Sequence, residues 1–133
     1  MFKRSYFIVG FFALAFFAFA ESANAQGGVF LGTKEVLDRA DNDKINVGAS
    51  KGTFDRLQFR VGPRAVDFKK VVVQFENGNK EELDLRERIP AGGRSRWINL
   101  NGTDRRIKNI EFWYDADTKR RGVRSSVSAY GAR

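Results

Sequence analysis

The sequence predicts an all-β fold, an antiparallel β-sandwich of jelly-roll-like character with about eight short strands. Three observations carry this. Apolar residues alternate with period two in short runs. Gly, Asn, Asp and Pro break those runs at roughly the 8–12-residue spacing of all-β chains. No run after residue 25 keeps a helical apolar period.

The strands follow in order. Residues 29–36 form the first, and Ile45 and Val47 mark a short second. Residues 54–61 set Leu57, Phe59 and Val61 on one face, with Arg56, Gln58 and Arg60 on the other. Val66 and Phe68 open another alternating stretch, and Val71, Val73 and Phe75 alternate after it. Asn77-Gly78-Asn79 then predicts a hairpin turn, because Gly accepts a positive φ and Asn tolerates it. Leu83 and Leu85 return on the far side. Pro63 and Pro90 fall between strands, where a missing amide donor costs the ladder nothing. Ile98 and Leu100, then Ile110, Phe112 and Tyr114, predict a hairpin across residues 101–106. Residues 123–130 close the sheet as a thin edge strand on which Ser125, Ser126 and Ser128 alternate with Val127 and Ala129.

Residues 1–25 stand apart from this pattern. Lys3 and Arg4 precede an uncharged run over 6–20, too short for the roughly 20 residues of a spanning helix, and Ala23-Asn24-Ala25 is a small-x-small cleavage site. The layout predicts a signal helix cut after Ala25 and export to the periplasm or medium. Residues 26–133 then form a single domain, since 108 residues support one modest core.

Composition excludes much chemistry. The 133 residues contain neither Cys nor His. Disulfides, thiolate or imidazole metal sites, and Ser-His-Asp or Cys-His apparatus are therefore impossible within the chain. Gly27-Gly28 follows no strand and is not a nucleotide loop. No serine lies in a Gly-x-Ser-x-Gly or Ser-x-x-Lys pattern. Glu76, Glu81, Glu82 and Asp84 flank a hairpin among polar residues, without the apolar surround a catalytic acid needs. Asp38, Asp41 and Asp43, with Asn42, lack the spacing of a calcium loop and read as turn residues. The expectation is a non-catalytic protein with no cofactor and no metal.

Charge is uneven. Residues 26–85 balance, whereas residues 86–133 carry 12 basic and 5 acidic side chains. On the predicted hairpin, Trp97 and Trp113 share the outward parity and lie near Arg94, Arg96, Arg105 and Arg106. Exposed indoles stack on sugar rings and guanidinium groups hold acids, so these six residues are the candidate ligand-binding set. The partners this implies are an anionic polysaccharide, lipopolysaccharide or lipid surface. The alternative is a structural or accessory role, with the same face meeting a protein partner or a second copy. Export argues against nucleic acid.

The stretch Trp97-Ile98-Asn99-Leu100-Asn101-Gly102, followed by Arg105-Arg106-Ile107 and Ile110-Glu111-Phe112-Trp113-Tyr114, resembles a family of small exported bacterial proteins of unknown function with all-β domains. The ending Val127-Ser128-Ala129-Tyr130-Gly131 agrees with it. The resemblance spans about residues 29–131 and is specific in 97–114. It implies the fold and export, and it carries over no catalytic residue.

Overall fold

The computed structural model describes residues 28–36, 41–116 and 124–133. The predicted signal segment, Asp38 and the basic residues 119–121 lie outside them. Nine strands are described: β1 (Val29–Val36), β2 (Asp41–Asn46), β3 (Arg56–Val61), β4 (Val66–Phe75), β5 (Lys80–Leu83), β6 (Arg88–Ile89), β7 (Ile98–Asn99), β8 (Ile107–Ala116) and β9 (Ser125–Ala132). They form two antiparallel sheets. The first runs β1-β9-β3-β7 and the second β2-β8-β4-β5, with β6 also pairing β4. The chain alternates between the sheets from β1 to β4 and again from β7 to β9, which gives the strand order of a jelly roll.

The alternation read from the sequence is the one that packs. Phe59 of the first sheet meets Phe68 of the second with ring centroids 5.9 Å apart, and Phe112 and Tyr114 extend the stack. All four rings are buried. The parity change between Phe68 and Val71 has a physical cause. A bulge in β4 between Phe68 and Lys70 inserts one residue against β8, so the apolar side chains switch from even to odd numbers while still facing inward. The Asn77-Gly78 hairpin forms as expected. Gly78 takes φ +92°, and the Asn77 side chain accepts a hydrogen bond from the Asn79 amide at 2.9 Å.

Two expectations are corrected. The hairpin across 101–106 does not form. β7 pairs Arg56 and Leu57 of β3 in the first sheet, whereas β8 pairs β4 and β2 in the second. A ten-residue β8 matches a ten-residue β4, and two residues of β7 offer no comparable ladder. Residues 101–106 instead cross between the sheets, helped by Gly102 at φ +88° and Asp104 at φ +50°. Secondly, β9 is no edge strand, because it lies between β1 and β3. Its Ser125 is buried, with Oγ donating to the Arg64 carbonyl at 2.7 Å and accepting from the Arg64 amide at 3.2 Å.

Candidate functional site

The strand pairing divides the six candidate residues. Trp97 immediately precedes β7 at the edge of the first sheet, whereas Trp113 lies on the outer face of the second, so the two indoles do not share a platform. Both are half-buried. Trp113 stands in register between Asn42 and Lys70, and the Lys70 ammonium lies 5.0 Å from its ring centroid. Around it the outer face of the second sheet is polar: Lys44 is opposite Glu111, and Asn109 donates to Gln74 at 3.2 Å.

Three of the four candidate arginines are engaged with the chain. Arg96 donates to the Asp84 carbonyl at 2.7 Å and to the Glu87 carboxylate at 3.1 Å, which ties the lead-in of β7 to the segment after β5. Arg105 stacks on Phe75 at 3.7 Å and bonds the Asn101 carbonyl. Arg106 reaches the Ala49 carbonyl at 3.3 Å. Their work is to hold loops at the ends of the sandwich. Arg94 differs. It bridges Arg60 along the edge of β3, on the exposed side of the first sheet.

That outer face of the first sheet gathers what the sequence reading had scattered. One cross-strand row is Phe30, Tyr130 and Gln58, and the next is Thr33, Ser128 and Arg60. Phe30 is 45% exposed and meets Tyr130 edge-on, with centroids 5.5 Å apart. The Arg60 guanidinium lies 3.8 Å over the Tyr130 ring, and its Nε donates to Gln58 at 3.2 Å. Gln58 in turn donates to the Ser95 carbonyl at 3.0 Å. Arg56 stands 5.5 Å from the Trp97 ring, and the indole reaches Gly28, where an added Cβ would lie 2.7 Å from Cη2. The face therefore presents Phe30, Tyr130 and Trp97 with Arg56, Arg60 and Arg94. A ring stacked under a guanidinium is held flat and pre-oriented, which lowers the cost of ordering it on a ligand.

The sequence reading missed Phe30 and Tyr130. The signal was present: Tyr130 has the parity of Ser126 and Ser128, opposite the buried Val127 and Ala129. The outward parity of Arg56 and Arg60 was read, but not their pairing with β9.

The carboxylates serve structure. Glu81 accepts from the Asn101 amide at 2.9 Å, and Glu82 pairs with Arg86 at 3.0 Å. Asp43 accepts the Tyr114 hydroxyl at 2.7 Å, and Asp41 accepts the Asn42 amide. Among the described residues no group of three or more Asp and Glu is placed to hold a metal ion.

The family follows from comparison with known proteins. The chain belongs to a family described as a domain of unknown function, DUF2541, whose model matches residues 9–131. No curated protein matches it. A solved structure, described as the structural and functional characterization of Pseudomonas aeruginosa AlgX, is similar at 15% identity and a TM-score of 0.44. The likeness covers 80% of this chain and 26% of that one, so the chain spans about a quarter of its length.

Proposed function

We propose that this member of DUF2541 is an exported binding module for an acidic glycan, which it takes on the outer face of its first sheet. The observation that carries the reading is the arrangement of Tyr130 under Arg60 and Trp97 beside Arg56, within a face that also exposes Phe30. The exposed Phe30 offers an aromatic surface to the C–H face of a sugar ring, and the guanidinium over Tyr130 extends the flat surface beside it. Guanidinium groups on the same surface supply charge-assisted bonds to the acid of that sugar or its neighbour. Thr33, Ser126 and Ser128 add hydroxyls along β1 and β9 for hydroxyl recognition. The residues facing outward here are chiefly cations, aromatics and hydroxyls, and the carboxylate of Glu35 beside Ser126 is paired with Arg124 at 2.9 Å. This set suits binding better than acid–base chemistry, and the module has no catalytic role in this reading. Export is supported by the charged n-region, the apolar run and the cleavage site before Gln26.

The test is calorimetric titration of the purified protein with polygalacturonate, dextran sulfate and neutral dextran over a salt series. Acidic polymers bind, neutral dextran does not, and Tyr130→Ala and Arg60→Ala each lose about tenfold in affinity, the scale of one good contact. Salt weakens the binding without abolishing it, since stacking is not screened. Equal binding by both variants, or binding to anionic liposomes in place of glycans, overturns the reading.

A second reading has its own observation. β1 is an edge strand of eight residues and carries the exposed Val29 and Phe30. Such an edge is a template for pairing with another chain. If it serves a protein partner or a second copy, Phe30→Lys changes the sedimentation behaviour and leaves polymer binding intact.

A further inference from the structure

A cavity of about 360 Å³ opens at the end of the sandwich, beside the face just described. Its walls come from the start of β1, the segment before β3 and the end of β9. Phe54, Gly131 and Ala132 give it an apolar floor, and Lys51, Arg56 and Arg133 give it a cationic rim. No Asp or Glu side chain lines it. Among the described residues, none of these three cations is ion-paired.

The walls are built and not accidental. Phe54 is pinned by paired backbone bonds with Arg105 at 2.9 and 3.0 Å, and its ring lies so close over Gly131 that a Cβ there would stand 2.6 Å from Cδ1. The Asp55 amide donates to the Ala132 carbonyl at 2.8 Å, which locks the two walls together. Arg133 is held over the opening by its Nε, which donates to the Thr53 carbonyl at 3.2 Å. Arg56 belongs to both places: it lines the cavity and stands over Trp97.

From these contacts we infer that the cavity is the end subsite of the glycan face and takes the terminal acidic sugar unit of the chain. The inference rests on the glycan reading above. The volume is at the small end of ligand pockets, right for one ring and too small for a folded-back chain. The apolar floor accepts the C–H face of that ring. The rim accepts its anionic group, and guanidinium forks suit carboxylate and sulfate alike. A site of this kind reads chain ends, so short acidic oligomers bind as well per molecule as long polymers do.

The test pairs two probes, tetragalacturonate and a sulfated tetrasaccharide, with two variants of the purified protein. Lys51 and Arg133 are both exposed, so the double variant Lys51→Ala/Arg133→Ala keeps the fold, checked by its thermal midpoint. The inference expects the double variant to lose about tenfold or more in affinity for one of the tetramers, as loss of charge-assisted bonds does. The tetramer that shows the loss identifies the anion. If Trp97→Ala weakens tetramer binding and the double variant does not, the ligand lies on the face alone. The end subsite then fails while the glycan reading stands. If the unaltered protein binds neither tetramer nor polymer, both fail.

Discussion

Ser125→Ala is a sharp test of how this sandwich is held. Ser125 is 2% exposed, and its hydroxyl both donates to and accepts from the backbone of Arg64, at 2.7 and 3.2 Å. The bond clamps the loop before β4 to the start of β9, joining the two sheets at that end. Removing the oxygen leaves a carbonyl and an amide without their partner. An unsatisfied buried group costs about 1–3 kcal/mol. Arg64 is half-buried, so water relieves part of the loss and the low end applies to each group. The sum is about 2 kcal/mol by the same principle, a large share of the roughly 5–15 kcal/mol that holds a domain of this size. Urea unfolding reads it as a lower midpoint at an unchanged slope. In a thermal scan the midpoint falls by about 8–16 °C. Ser128→Ala is the control, because its hydroxyl meets only Thr33 at 3.0 Å near solvent, and it shifts stability by less than about 0.5 kcal/mol. A Ser125→Ala loss as small as that of Ser128→Ala would refute the clamp.

Other expectations follow from the packing. Phe68→Ala removes the ring between Phe59 and Phe112 and costs about 3–5 kcal/mol, measured by denaturant unfolding. Gly131→Ala drives a methyl into Phe54 and lowers stability by about 1–3 kcal/mol, with a changed near-UV spectrum as the local check. Gly78→Ala forces a side chain to φ +92° and costs about 1 kcal/mol, although its Cβ meets nothing.

Much of the fold was legible because period-two alternation is a local property. Leu57, Phe59 and Val61, or Ile110, Phe112 and Tyr114, announce their faces without reference to any partner. The Asn77-Gly78 turn is equally local. What was not legible is pairing between strands distant in the chain. Asn101-Gly102 sits between alternating runs just as Asn77-Gly78 does, yet it crosses the sandwich, because β8 finds a longer partner in β4 than β7 offers. The candidate site inherited that error. Trp97 and Trp113 were joined on a hairpin that does not exist, while Tyr130 and Arg60 stack through a β9–β3 pairing of residues 70 positions apart. Arg96, Arg105 and Arg106 were read as a free basic patch. Their bonds to loop carbonyls depend on where the loops land, which charge counts do not show.

The proposed glycan reading puts ligand recognition on the first sheet and not on the second. The direct measurement is polygalacturonate affinity for Trp97→Ala and Trp113→Ala side by side, each checked for an intact fold. Recognition on the first sheet predicts about a tenfold loss for Trp97→Ala and less than a twofold change for Trp113→Ala. Equal losses, or a loss confined to Trp113→Ala, would contradict it.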